Sequence, residues 1–401
     1  MRSELMRRHI PFLLSCLLAF TAGHMFNYTV ILYLQEAVGS DLLSGLGFGL
    51  AFGSSIVFGW FGGVLCDRMA PGRVIHGAQA LFLLGLACLW WADTGAAADQ
   101  RAAWALLGAF AGGLAWSFVG PARLTALGQI ASATELRPLT IVFNLQVLLG
   151  FGLAPLLIGL IRSAHAWPAV LATAALGFVL SSALLLRLHT HANPVPSSQS
   201  VWADIAEGFR TVGSAPLLRQ LMLAAVIGYA MTGPLQILLP KLARQQLGLT
   251  EAQRGAYLGL LAISLIIGGV LALLLARRLH HGRAILGGVA LGGLVFALLG
   301  AISSPLLSAL ALACVGMLGG MVISLVVAGI QTQAPEALRG RVMSMYAITS
   351  QVLPAVSGVA AGALVTQVGV VPAIAGAGLA LAGIAAGAAL AMPVLRRYAG
   401  R

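Results

Sequence analysis

Long apolar stretches separated by short polar ones are the main pattern of this 401-residue chain. Many of these stretches are about twenty residues long, which is the length an α-helix needs to cross the hydrocarbon core of a bilayer. The pattern predicts twelve membrane-spanning helices in two sets of six, numbered here as spans 1–12. The first set covers residues 10–35, 42–66, 75–93, 102–130, 139–162 and 168–188, and the second covers 217–240, 254–276, 284–302, 306–332, 343–366 and 370–393.

The composition agrees with a protein that lies in lipid. Hydrophobic residues make up 59% of the chain and charged residues only 8%, with a mean hydropathy of +0.96. A soluble domain carries about 25% charged residues, so this chain has too few charges to cover a surface that faces water. The 50 glycines also fit, because small residues let membrane helices approach closely. We therefore expect an all-α integral membrane protein.

One polar stretch divides the chain into two similar halves. Residues 189–200 contain prolines and small polar residues, as a linker does, and the sequence VWADIAEGFRTV predicts a short amphipathic helix on the membrane surface. The tetrapeptide GGVL occurs in span 2 and again in span 8, the equivalent helix of the second half. Two such halves are typical of secondary transporters. The predicted domains are an N-terminal six-helix bundle (1–188), a cytoplasmic linker with the amphipathic helix (189–215) and a C-terminal six-helix bundle (216–401).

The basic residues lie mostly in alternate loops, and this distribution predicts the orientation. If both termini are cytoplasmic, the inside segments hold seventeen of the 23 basic residues and the outside segments hold five, with Arg123 inside span 4. Cytoplasmic loops carry an excess of Lys and Arg, so we expect both termini in the cytoplasm and a location in the inner membrane. The net charge of +12 does not form one surface, which argues against a nucleic-acid partner.

The loop between spans 2 and 3 carries an acid beside a base at the end of an apolar run. It contains GVLCDR at residues 63–68 and PGR at residues 71–73. This resembles the loop motif of the major facilitator superfamily, although the second glycine is displaced and only one base follows it. The resemblance implies two six-helix bundles that move a small molecule by alternating access.

In the family the acid of this motif acts as a latch, which meets the start of span 11 and a base on span 4 when the outside face is open. An acid near a helix N-terminus is favourable, and a partly buried ion pair can be made or broken, as a gate requires. The alternative is that the bases only keep the loop inside and the acid is solvated. The predicted gating residues are Asp67, Arg68, Arg73 and Arg123.

A narrower resemblance concerns four segments of the chain. Residues 202–210 and 216–219 are similar to the segment that leads into span 7 in one branch of the superfamily. Residues 331–344 are similar to its loop between spans 10 and 11, and GPAR at 120–123 also fits. This branch includes the enterobactin exporter and macrolide efflux proteins, which implies export of a siderophore-like or drug-like molecule and a relation to multidrug resistance.

Span 5 contains a glycine-rich stretch, GFGLAPLLIG, at residues 150–159. It resembles the antiporter motif of the family, with Ala154 in place of the glycine before proline and Ile158 interrupting the trailing pair. Small residues beside Pro155 permit close packing and a bend. The alternative is an ordinary packed helix with a kink.

Polar side chains inside apolar spans are costly, so they mark either function or interhelical hydrogen bonds. Two such residues lie four apart in span 1 with a third beside them, and others recur at helical spacing in span 7. In the resembled family spans 1, 4, 7 and 10 line the cavity. The predicted substrate contacts are His24, Asn27, Tyr28, Tyr229 and Gln236. Few charges occur deep in the spans, so we expect a neutral, zwitterionic or amphipathic cargo.

The candidates for coupling to an ion are few. No acid lies securely at the middle of the membrane, and His24 is the deepest side chain that can change its charge near neutral pH. Glu36 lies near the outer end of span 1 and Asp41 just beyond it. We therefore hypothesise proton antiport through His24, assisted by Glu36 or Asp41.

Other classes of function have less support in the sequence. It contains no phosphate-binding loop of an ATP-driven pump, no nucleophile–base arrangement of an enzyme and no metal-ligand spacing. We expect no enzyme activity, no cofactor and a monomer. Uptake of a substrate and flipping of a lysolipid by the same fold remain open. A non-transporting receptor or sensor would need a ligand-binding domain, and the loops are short.

Overall fold

The computed structural model describes the backbone of residues 2–192, 201–275, 278 and 280–400, and side chains throughout these ranges except at 2–8, 60, 62–64, 66, 67, 133, 137, 201–205 and 337. The described residues include twelve helices or helix pairs that are long and apolar enough to cross a membrane. This confirms the predicted all-α fold.

The helices follow the predicted spans closely. In the first half they are α1 (Arg2–Glu36), α2 (Asp41–Arg68), α3 (Pro71–Thr94), α4 (Arg101–Ile130), α5 (Ala133–Arg162) and α6 (Trp167–Leu184). A separate helix, α7 (Val201–Ser214), lies in the polar stretch. The second half contains α8 (Pro216–Tyr229), α9 (Thr232–Gln245), α10 (Glu251–Leu275), α11 (His281–Leu299), α12 (Pro305–Gln333), α13 (Arg339–Val368), α14 (Val370–Ala391) and the short α15 (Pro393–Arg397).

The chain divides into two compact units. Unit 1 comprises Met1–Pro196 together with Thr250–Gly259, and unit 2 comprises Ser197–Leu249 together with Leu260–Arg401. The first turns of α10 therefore belong to unit 1 and the rest of this helix belongs to unit 2.

Glycine allows close packing of the helices in unit 1. A Cβ atom added to Gly85 of α3 would lie 2.9 Å from the carbonyl oxygen of Gly108 in α4, and the reverse distance is 2.8 Å. Only glycine fits at both positions without moving the backbone, which agrees with the role of small residues between membrane helices.

The seventh span is broken in its middle, where the sequence analysis predicts one continuous helix. α8 ends at Tyr229 and α9 begins at Thr232. Pro234 explains the break, because proline has no N–H to bond the carbonyl of Ala230 and its ring clashes with that carbonyl. Gly233 lies against the backbone of α13 at Pro354 and Gly358, where a side chain would clash.

α7 packs against α13 within unit 2. Glu207 of α7 forms an ion pair with Arg341 of α13. A Cβ atom added to Gly208 would lie 2.9 Å from the sulfur of Met345, so this turn of α7 packs closely against α13.

Candidate functional site

The predicted polar residues of α1 lie in an aromatic cluster of unit 1. The His24 ring is 5.1 Å from the Trp116 ring of α4 and 5.4 Å from the Phe151 ring of α5, measured between centroids. Tyr28 is 5.8 Å from the same phenylalanine ring. The indole Nε1 of Trp116 donates to Oδ1 of Asn27 at 3.1 Å. The structure thus brings His24, Asn27 and Tyr28 together, as their spacing predicts.

Two polar atoms of this cluster lack partners. Nε2 of His24 and Nδ2 of Asn27 are buried, and neither has a hydrogen-bond partner among the residues that the structure describes. The backbone of Val147 in α5 is a partner for the His24 ring. A buried donor or acceptor without a partner costs about 1–3 kcal/mol, so these atoms favour a bound polar group or water.

Unit 2 contains a pair of tyrosines. The hydroxyl oxygens of Tyr229 in α8 and Tyr346 in α13 are 2.6 Å apart, and their rings meet edge to face at 5.7 Å. Tyr229 is the last residue of α8, directly before the break in the seventh span. The sequence left open that a polar residue inside a span only forms a hydrogen bond to another helix. The contact of Tyr229 with Tyr346 is of this kind.

Gln236 lies on α9, beyond the break, and is 6% exposed. Its Oε1 is buried and has no hydrogen-bond partner within the described ranges. Its backbone carbonyl also lacks the usual i+4 donor, because residue 240 is a proline. Gln236 therefore offers a side-chain acceptor oxygen inside an apolar span.

Arg123 is fully buried and lies in a polar network of unit 1. Its Nη1 donates to Oγ of Ser15 at 3.1 Å and to Sγ of Cys16 at 3.2 Å, and its Nη2 donates to Oγ of Ser181 at 2.9 Å. The Ser181 hydroxyl also accepts from Nε2 of Gln79 at 2.7 Å and donates to the carbonyl of Ser15 at 2.9 Å. The network joins α1, α3, α4 and α6.

The other predicted gating residues lie around the end of α2 and the start of α3. Asp67 is on α2, but its side chain is outside the described part of the structure. Among the described side chains no carboxylate pairs with Arg123, so the predicted pair of Asp67 and Arg123 remains a prediction. Arg68 and Arg73 are exposed.

Glu36, one candidate for coupling, lies in a group of charges at the end of α1. Its carboxylate is 2.6 Å from Nη1 of Arg254 and 3.9 Å from Nη2 of Arg162. Arg254 also pairs with Glu251, and the Arg162 guanidinium lies 4.4 Å from the centre of a Trp167 ring. The group joins α1 and α5 to the first turns of α10, all within unit 1.

The structure does not bring the three coupling candidates together. His24 and Glu36 are twelve residues apart on one helix, which corresponds to about 18 Å along its axis. Asp41 lies in the first turn of α2, which Ser40 caps by accepting from the amide of Leu43 at 3.3 Å. Any exchange of protons between His24 and Glu36 would need intermediate groups.

Three features of these sites were missed by sequence analysis. Trp116 forms the wall beside His24, and Ser181 with Gln79 completes the Arg123 network. Arg254, assigned to an outside segment, is 8% exposed and bound to Glu36. A tryptophan in the middle of an apolar span was a usable signal, whereas the serine and arginine contacts depend on helix packing.

Twelve helices long and apolar enough to cross a membrane, found among the described residues and carrying buried polar groups, are typical of a multi-pass membrane transporter. Residues 12–359 match the family model described as Major Facilitator Superfamily. The chain belongs to the major facilitator superfamily, the family of secondary transporters that its loop motif resembles. No curated protein matches the chain.

Solved structures of transporters share the fold. A POT family transporter in complex with a thioalcohol conjugated peptide aligns with a TM-score of 0.76 at 13% identity, covering 97% of this chain and 96% of that one. The nucleoside transporter NupG aligns at 0.73 and 15%, covering 96% and 99%. A bacterial homologue of the human lysosomal transporter Spinster aligns at 0.75 and 14%, covering 99% and 97%.

Proposed function

We propose that this protein exports a neutral, zwitterionic or amphipathic small molecule by alternating access, in exchange for protons. The observation that carries the proposal is the group of unpaired polar atoms inside apolar helices, on His24 and Asn27 in unit 1 and on Gln236 in unit 2. A buried polar atom without a hydrogen-bond partner is costly in lipid unless a ligand or a water molecule bonds to it. Export, rather than uptake, is supported by the resemblance to the efflux branch.

The proposed substrate contacts are the five predicted residues. In unit 1, Asn27 and His24 provide hydrogen-bonding groups beside the Trp116 and Phe151 rings. In unit 2, Tyr229 provides a hydroxyl and Gln236 a side-chain acceptor oxygen. Tyr28 contributes a ring beside Phe151. Aromatic surfaces combined with a few polar groups suit an amphipathic cargo of low net charge.

The proposal for coupling uses His24 as the proton carrier. It lies near the middle of the candidate span His9–Glu36, and a histidine can bind and release a proton near neutral pH. The paired state of Glu36 supports a structural role for this carboxylate in the arrangement described, so Glu36 or Asp41 would assist only after its contacts are broken.

The proposed gate is the latch implied by the loop motif. Arg123 is a buried cation at the end of α4, and its present partners are two hydroxyls and a thiol. A carboxylate is a stronger partner for a guanidinium than these neutral groups, which supports Asp67 as an alternative contact. Arg68 and Arg73 would keep this loop in the cytoplasm, with both termini on the same side of the inner membrane.

Counterflow assays test this proposal. The purified protein in proteoliposomes is loaded in turn with a siderophore, a macrolide or a lysolipid, with and without an imposed pH gradient. We expect exchange of one class, accelerated by the gradient in the direction of export. Exchange of a siderophore or macrolide that the gradient drives only inward would instead support uptake, and preferred exchange of the lysolipid would support the flippase.

A further inference from the structure

A cavity with polar and apolar lining lies in unit 1, and none of its lining residues is among those assigned to transport. It has a volume of about 400 Å³ and lies where α1 enters the bilayer and α4 and α6 leave it. The candidate spans of these helices begin at His9 and end at Ile130 and Leu184. The cavity therefore opens at one boundary of the membrane, on the cytoplasmic side if the predicted orientation holds.

The cavity has an apolar part and a cationic part. The apolar wall consists of Pro11, Phe12, Ile130, Leu184, Leu185 and Leu188. The polar lining consists of His9, Gln129, Arg187 and His189, and the last two of these side chains are exposed. An apolar wall beside an exposed guanidinium and an exposed imidazole is a surface for an amphiphile with an anionic head.

Hydrogen bonds hold the cationic segment in place. Gln129 donates from Nε2 to the carbonyl of His191 at 2.8 Å and accepts from its amide at 3.2 Å. The amide of Gly72 at the start of α3 donates to Oγ1 of Thr190 at 3.0 Å. The chain that carries Arg187 and His189 is thus fixed to α3 and α4, so both residues are held at the cavity that they line.

His9 is a buried polar group in the wall of this cavity. It is 2% exposed, and its Nε2 has no hydrogen-bond partner in the part of the chain that the structure describes. Among the described side chains Glu135 pairs with His9, and its Oε2 lies 3.6 Å from this nitrogen and accepts from the amide of Ser132 at 2.8 Å. A phosphate oxygen in the cavity would give Nε2 of His9 a hydrogen-bond acceptor when this nitrogen carries a proton.

We propose that this cavity binds the phosphodiester head of an anionic phospholipid, with Arg187 as its cationic contact and His189 as a hydrogen-bonding contact. Basic pockets between membrane helices on the cytoplasmic side suit such head groups, and each cation near the surface contributes about 1 kcal/mol. A guanidinium also matches the geometry of a phosphate. A soluble phosphate ester has the same charged group, but it has no acyl chain to cover the apolar wall.

Native mass spectrometry of the purified full-length protein tests the proposal, with phosphatidylglycerol and phosphatidylcholine as probes. We expect saturable binding of phosphatidylglycerol that is stronger than binding of phosphatidylcholine. Arg187→Gln should weaken it by about fivefold, His189→Gln should weaken it by a smaller factor, and Arg187→Lys should retain most of it. The matched control is Arg283→Gln, which removes the same charge from an exposed position in unit 2 and should have no effect.

Three results would overturn the proposal. They are equal binding of the two lipids, equal losses in Arg187→Gln and Arg283→Gln, and full displacement of the lipid by glycerol phosphate at the same concentration. The last result would assign the cavity to a soluble anion. Because Arg187 is exposed, its variants should melt at the temperature of the parent protein, and each is measured only after that check.

Discussion

At the scale of single residues, the buried charge of Arg123 is the clearest feature. A guanidinium inside a helical bundle needs partners for its donors, and Ser15, Cys16 and Ser181 accept from Nη1 and Nη2, whereas the buried Nε has no hydrogen-bond partner among the described residues. The position of the arginine was apparent in the sequence as a base within span 4. Its hydrogen-bond partners were not apparent, because they lie on other helices and two of them, Ser15 and Ser181, are of a common small residue type.

Ser181→Ala tests the importance of this network. The change removes the acceptor used by both Gln79 and Arg123, so it leaves two buried donors without a partner. We expect a loss of about 1–3 kcal/mol in stability, measured as a lower unfolding temperature in detergent. Ser163→Ala is the control, because that exposed hydroxyl bonds only to a carbonyl of its own helix. Equal unfolding temperatures for the two variants would contradict this account.

At the scale of elements, the twelve spans could be predicted from hydropathy. A segment that crosses lipid must bond its backbone polar groups to one another, so it is a helix, and such a helix needs about twenty mostly apolar residues. The hydropathy pattern did not predict the break in the seventh span. Pro234 leaves the apolar run intact, and only its missing N–H and its ring interrupt the helix. A proline inside a predicted span is a signal, but Pro121 and Pro155 lie within helices that continue, so proline alone does not predict a break.

Pro234→Ala is expected to join α8 and α9 into one helix. The new N–H can bond the carbonyl of Ala230, which removes the break between Tyr229 and Gln236 and changes their relative orientation. We expect transport in proteoliposomes to fall at least tenfold while the unfolding temperature stays equal or rises. Pro216→Ala is the control, because proline at the first turn of a helix replaces no hydrogen bond. Unchanged transport in Pro234→Ala would exclude a role for the break.

At the scale of the whole molecule, one helix contributes to both units. The first turns of α10 belong to unit 1, where Arg254 binds Glu36, and the remainder belongs to unit 2. Sequence analysis divides the chain at a linker and therefore assigns all of α10 to the second half. Contacts far apart in sequence, such as that of Gly255 with Pro155, decide the assignment and leave no local pattern.

Glu36→Gln separates a structural role of this carboxylate from a role in coupling. The variant removes one of the two carboxylates that pair with the largely buried guanidinium of Arg254 and leaves Glu251 as the other, so we expect a loss of about 1–3 kcal/mol in stability. In the background of Arg254→Gln the change Glu36→Gln should cost less, because the contact between the two side chains is already lost. If Glu36→Gln instead abolishes the pH dependence of transport without lowering stability, the carboxylate takes part in coupling.

The most direct test of the central claim is proton movement driven by the exported substrate. Proteoliposomes with a pH-sensitive dye inside are given the substrate found by counterflow, on one side of the membrane only. We predict proton flux opposite to the substrate flux, reduced at least tenfold by His24→Gln and unchanged by His165→Gln, which alters an exposed histidine in a loop. Substrate flux without proton flux, or equal proton flux in both variants, would contradict proton antiport through His24.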